Sequence, residues 1–167
     1  VNYPWDTWSR LHADDDWYRS LSRAYADTVH IHGPSGYMTG LENGITNGNA
    51  WYTIYGGRQD YTNYFLHARE ITLELSLDKM PPESSLDDYW YSNKRSLVQF
   101  IGQVFTGVAG TVTDSLTGLP LEASIRIPDH DRDNSEVYSE AGKGCYFRLA
   151  VTGSLTLEIS APGYHTR

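Results

Sequence analysis

The chain has 167 residues, 13 Lys+Arg against 21 Asp+Glu for a formal net charge of -8, 40% hydrophobic and 13% aromatic residues. That length holds one ordinary domain or two small ones; the aromatic content excludes a disordered chain, and the acidic balance repels phosphate backbones, so nucleic acid is not an expected partner. A lone cysteine, Cys145, rules out an intramolecular disulfide, and no apolar run approaches the roughly 20 residues of a membrane helix.

Val1 to Trp5 reads as the tail of a strand entering a turn. At the other end, Leu155 to Ala161 alternates as a strand, and the chain stops at Arg167. Unpaired strand edges are seldom left bare at domain ends, so the sequence is expected to be a piece of a longer protein. Asp14-Asp15-Asp16 places acids where a helix N-terminus favours them. Trp17, Leu21, Ala24, Tyr25 and Val29 then recur at helical spacing, which predicts an amphipathic helix over 14–29. From 30 to 57 the pattern dissolves into Gly, Asn and aromatics, with Asn-Gly pairs at 43–44 and 47–48. A long loop this rich in aromatics points to function and not disorder.

Arg69 to Leu75 is a short β-favouring run, and Pro81-Pro82 closes the segment after it. Ser84 or Ser85 then caps a second helix whose Leu86, Trp90, Leu97, Ile101, Val104 and Phe105 form an expected core face, ending near Gly107. Beyond Gly107 the period changes to two. Strands are expected over 108–113, 121–127, 145–151 and 155–160, separated by turn clusters, and short strands at this spacing suggest a small β-sandwich. The expected division is therefore 1–106 and 107–167.

Several residue groups could carry chemistry. Glu70 and Glu74 are four apart, so on a strand they share a face with Thr72 while Ile71, Leu73 and Leu75 fill the other. A carboxylate among apolar neighbours is costly unless paired or used, and a structural ion pair with Arg58 or Arg69 is the plain alternative to a catalytic role. Asp129-His130-Asp131-Arg132-Asp133-Asn134 has oxygen ligands at alternate positions, as calcium loops do, but Asn stands where such loops need Gly. The expectation there is a solvated turn, with a weak cation site as the alternative. His30-x-His32 could align two imidazoles on an extended segment, but two ligands make no zinc site and a surface loop is expected. Cys145 is expected to be a buried small hydrophobe.

Taken together, Asn2-Tyr3-Pro4-Trp5-Asp6, the run Asn43 to Tyr52, Gly56-Gly57-Arg58-Gln59-Asp60-Tyr61 and Glu70 to Ser76 resemble the zinc metallocarboxypeptidases of the regulatory subfamily, the group of carboxypeptidases D, E, N and M. The resemblance implies an α/β fold: the C-terminal portion of a mixed-sheet α/β catalytic domain over 1–106, followed by an incomplete transthyretin-like β-sandwich over 107–167. It implies Glu74 as general base, Tyr52 as the mobile tyrosine over the substrate, and Asp6 and Gln59 at the base of the specificity pocket. The implied cofactor is zinc, which lowers the pKa of a bound water from 15.7 to about 7; its family ligands would precede Val1, so no metal ligand is assigned here. The implied substrate is a peptide or protein C-terminus ending in Lys or Arg, the implied partner is the remainder of the catalytic domain, and the implied location is secreted or periplasmic. Arg58 stands where the family usually has an apolar residue, and its charge could oppose a basic side chain. The rival readings are a non-catalytic binding module and one half of a two-chain enzyme.

Overall fold

The computed structural model describes residues 1–167. The first half is built around helix α1 (Asp15–His32), whose Trp17, Tyr18, Leu21, Tyr25, Ala26 and Val29 are buried. Its inner face meets Tyr3 of strand β1 (Asn2–Tyr3) and Ile45 in one core cluster. Each large apolar side chain buried in this way contributes about 1.5–3 kcal/mol. The helix runs to His32, so His30 and His32 lie in its last turn and not on an extended segment.

The stretch 30–57 is not one loop. It contains an irregular helical turn α2 (Gly40–Asn43), strand β2 (Thr46–Asn47) and a further turn α3 (Gly48–Trp51) capped by the Asn47 side chain on the Ala50 amide. Strand β1 pairs with β2 in parallel. Helix α4 (Arg58–Phe65) comes next, and its short, polar run of residues carries no periodic signal.

Arg69 to Leu75 was expected to be a strand, and only Thr72 pairs, in an antiparallel bridge to Asn2. Asn2 accepts from and donates to the Thr72 backbone at 2.8 Å each way. Without a partner on its other side the rest of the segment has no ladder to extend.

Helix α5 (Leu86–Gly102) packs on α1 with a different face, turned about a quarter of the way round from the one its hydrophobic pattern predicts. Its buried residues are Ser92, Asn93 and Ser96. The Tyr25 hydroxyl donates to Asn93 Oδ1 at 3.0 Å, and Ser96 Oγ donates to the Tyr25 carbonyl at 2.9 Å. Leu86, Trp90, Ile101, Val104 and Phe105 are exposed, the last at 89%. Side-chain hydrogen bonds hold the polar face in contact because buried polar groups must be satisfied, and the apolar face is left without a partner.

After Gly107 the elements are all strands: β3 (Val108–Thr111), β4 (Ser124–Arg126), β5 (Val137–Tyr138), β6 (Cys145–Arg148) and β7 (Glu158–Ser160). They form two small antiparallel sheets, β3–β6 and β5–β4–β7. Gly107 has φ +126°, and a Cβ there would lie 2.3 Å from the Arg148 carbonyl, so glycine is required where the chain turns into β3. Cys145 is exposed on β6, contrary to the expected buried hydrophobe, because its partner Thr111 also faces outward.

Candidate active site

Asp6 is buried where β1 ends, at 4% exposure. Its Oδ1 accepts from Asn2 Nδ2 at 3.3 Å and from Gln59 Nε2 at 3.2 Å. Gln59 reaches it from the first turn of α4, and the α3 turn closes over it from the other side. Asn49 donates its amide to the Trp5 carbonyl at 2.8 Å and its side chain to the Asp6 carbonyl at 3.3 Å, while the Ile54 amide donates to the same carbonyl at 3.2 Å. A Cβ on Gly48 would lie 1.8 Å from Asp6 Oδ1, so only glycine lets this backbone approach the carboxylate.

No cation stands against Asp6. Burial and then the charge of Asp60 raise its pKa, with the Asn2 hydrogen bond opposing them. Asn2 Oδ1 and Gln59 Oε1 are also buried without a donor. Acceptors in such surroundings cost free energy unless a donor arrives. The carboxylate is thus held only by two neutral amides, each of whose own oxygens lacks a donor.

Arg58 does not fill that role. Its guanidinium pairs with Glu70 at 3.2 Å and is 85% exposed, so the ion pair anticipated for this segment is made by Glu70. Arg69 turns instead to Asp14 at 2.6 Å. Glu74 is exposed and free of an arginine; it lines a cleft of about 690 Å³ with Trp51, Thr46, Tyr37 and Tyr89. Tyr52 is 49% exposed and packs edge-on against Trp51, with ring centroids 4.7 Å apart. Its amide donates to the Gly48 carbonyl at 3.1 Å, so the glycine that abuts Asp6 also anchors the tyrosine.

The four predicted site residues therefore lie on connected elements. Asp6 and Gln59 touch directly. Trp51 joins the tyrosine to the cleft of Glu74, and Asn2 joins Glu74 to Asp6 by pairing its backbone with Thr72 and its side chain with Asp6. Sequence reasoning passed over Asn2, and its only signal was its place beside the Tyr-Pro-Trp-Asp run. Asn63, fully buried, was also missed: it accepts from the Tyr18 hydroxyl and donates to the carbonyls of Gln59 (2.9 Å) and Glu70 (3.2 Å). It ties helix α4 to the segment that carries Glu70 and Glu74.

A second polar cluster lies where the first half meets the strands. Asp14, read as one of three helix-start acids, caps nothing with its side chain. Its carboxylate receives Arg69, Arg148 at 2.8 Å and His130 at 2.9 Å, and Arg148 also binds Asp131 at 2.5 Å. Burial alone would raise the Asp14 pKa, but the His130 hydrogen bond and the charges of Arg69 and Arg148 hold it well below the ordinary carboxylate range. The loop expected to be a solvated turn is instead docked. Asp131 is buried and accepts from the Ile127 amide and Ser135 Oγ, while Asp133 pairs with Arg10 at 2.9 Å.

Asp14, His130 and Asp131 are close enough together to share a metal. The zinc that the sequence resemblance implies does not fit there. The Arg148 guanidinium already bridges both carboxylates, and a cation site cannot share its ligand oxygens with a fixed positive charge.

Comparison with known proteins gives a consistent result. The zinc carboxypeptidase family profile matches residues 1–96. Rat carboxypeptidase D is 38% identical over 159 residues, which cover 91% of this chain and 11% of that protein. The human carboxypeptidase N catalytic chain is 35% identical over 180 residues, covering 98% and 38%. Carboxypeptidase E of Caenorhabditis elegans is 31% identical over 186 residues, covering 98% and 39%. The chain thus spans between about a tenth and two fifths of the length of these relatives.

Proposed function

This chain belongs to the zinc carboxypeptidase family, and on that premise we propose that it forms part of a metallocarboxypeptidase that hydrolyses the C-terminal peptide bond of a peptide or protein and releases Lys or Arg. The observation that carries the substrate preference is the Asp6 carboxylate, buried with Gln59 and Asn2 and left without a cation. An ammonium carries three donors and a guanidinium five, with no acceptor. Such a group would satisfy Asp6, Gln59 Oε1 and Asn2 Oδ1 together through charge-assisted hydrogen bonds. A neutral aliphatic side chain would leave all of them unpaired. Arg58 does not oppose this, because Glu70 holds its charge on the exposed side.

Glu74 is the proposed general base. Free of an arginine and open to the cleft, its carboxylate can take a proton from the attacking water and return it to the leaving amine. Tyr52 is proposed to donate its hydroxyl to the substrate from the glycine-flanked turn that carries it. The metal ligands are proposed to come from the remainder of the catalytic domain, since the Asp14 cluster does not fit zinc, so the chain alone would have no peptidase activity. The uncovered apolar face of α5 is a surface suited to that remainder. The two sheets after Gly107 are proposed to be a transthyretin-like unit, a reading supported by the relatives' match to 98% of the chain, which runs past residue 107. A secreted or periplasmic location is proposed from the subfamily, and no helix is long and apolar enough to cross a membrane.

The test uses the full protein and matched peptides ending in arginine or in its neutral isostere citrulline. Glu74→Gln is expected to lower kcat by about 10²–10⁴-fold with little change in binding. Asp6→Asn is expected to erase the arginine preference and leave citrulline turnover unchanged. Full activity in the Glu74→Gln protein would refute the base assignment, and an unchanged arginine preference in Asp6→Asn would refute the pocket.

A further inference from the structure

A second carboxylate stands at the same pocket. Asp60 is the third residue of α4, where an acid ordinarily serves the free amides of its own helix. Here it reaches across to a distant segment: one oxygen accepts the Asp6 amide at 2.9 Å and the other the Thr7 amide at 2.8 Å. The next residue back, Gln59, holds the Asp6 side chain at 3.2 Å. The first turn of α4 therefore grips Asp6 twice, by its backbone and by its carboxylate. Thr7 is fixed a third way, its hydroxyl donating to the Ile54 carbonyl at 2.8 Å.

We propose that Asp60 is a specificity-positioning residue: by clamping the Asp6 and Thr7 amides it fixes where the Asp6 carboxylate stands, and its own charge strengthens the pocket's preference for a cationic over a neutral side chain. This rests on the basic-pocket reading above. The groups facing Asp6 are Asn2 from β1, Gln59 and Asp60 from α4, and the backbones of Gly48 and Gly57. None is a cation, so the two negative charges reinforce each other at the pocket. The raised pKa of Asp6, due to burial and next to Asp60, agrees with this.

Replacing Asp60 by Asn removes the charge but keeps an oxygen that can accept one of the two amides. Two quantities are measured in the full protein: the titration midpoint of the Asp6 carboxyl by carbon-13 NMR, and the ratio of affinities for free L-arginine and L-citrulline as competing ligands. In Asp60→Asn the Asp6 midpoint is expected to fall toward the ordinary carboxylate value, and the arginine-to-citrulline ratio to drop about tenfold, as loss of one nearby charge in a partly buried site requires. A purely structural Asp60 would lower thermal stability and leave that ratio where it was; an unmoved ratio or an unmoved Asp6 midpoint overturns the proposal. Should Asp60→Asn not fold, Asp60→Ser decides: it too removes the charge and keeps an oxygen that can accept an amide, and an arginine-to-citrulline ratio equal to that of the unaltered protein overturns the proposal. Failure of the unaltered protein to prefer arginine overturns the basic pocket itself, an outcome distinct from a preference that survives in Asp60→Asn.

Discussion

Asp6 and Asp14 are 4% and 5% exposed and lie on the same N-terminal segment, yet their surroundings drive them in opposite directions. Asp14 is held by two arginines and a histidine, and its pKa falls. Asp6 is held by two neutral amides beside another carboxylate, and its pKa rises. A buried charge that finds its counter-ions within the fold becomes a structural lock. One denied them is kept at a cost to stability, and such a residue is a candidate for binding. The lock joins the first half to the strands, and the side chains around Asp6 come from the first half alone.

Breaking the lock should have the largest effect. Arg148→Met leaves Asp14 and Asp131 short of their shared cation in a dry site, and is expected to cost about 3–5 kcal/mol in chemical denaturation. A loss under 1 kcal/mol would mean that water or a neighbour replaces the guanidinium.

Acid should act on the same region next. His12 is fully buried between Trp5 and Tyr18, accepts the Asp14 amide on Nδ1 at 2.9 Å, and has its pKa lowered to about 3, chiefly by burial and then by Arg69. Because the folded value is depressed, its contribution is fully present above the unfolded value of about 6.5 and is lost as pH falls toward 3. Asp14, also depressed, loses its contribution below the ordinary carboxylate range. Stability measured from pH 7 to pH 4 should therefore fall, and His12→Gln should flatten the upper part of that curve.

The opposite sign is expected at the open site. The raised folded pKa of Asp6 means that its contribution is present below the ordinary carboxylate range and lost as pH rises through the folded value. At pH 7 the neutral Asp6→Asn should stabilise the protein by about 0.5–2 kcal/mol, as replacing a functional residue under strain often does. Asp14→Asn should destabilise it. Thermal melts of the two variants side by side test the contrast, and a shared sign would abolish it.

The smallest effect is expected from Arg58→Ala. Its ion pair with Glu70 is exposed on one side, so the arginine-to-citrulline preference should change by less than about threefold. A larger gain would place the Arg58 charge in the pocket.

The proposed site was read from the linear order of residues. Asp6, Gln59, Tyr52 and Glu74 were named from a run of motifs, and the structure sets them on connected elements. The supporting residues were not legible. Asn2, Asn63 and Asp60 act through hydrogen bonds to residues up to 70 positions away, and no local period marks such a partner. The helix α1 was readable because its packing repeats every turn. The face of α5 was misread because a hydrophobic stripe states what wants burial and not what is available to bury it. The Asp129–Asn134 loop was misread because its acids look solvated until Arg148, Arg10 and the Asp14 segment are brought beside them.

Composition and periodicity settled by themselves that this is an acidic, folded chain, helical first and β-rich after Gly107, since those properties depend on each residue and its near neighbours. Which aspartate became a lock and which stayed open was decided only by the tertiary structure. The pKa and cost of a buried charge depend on the groups a few ångströms away, and the fold drew those groups from opposite ends of the chain.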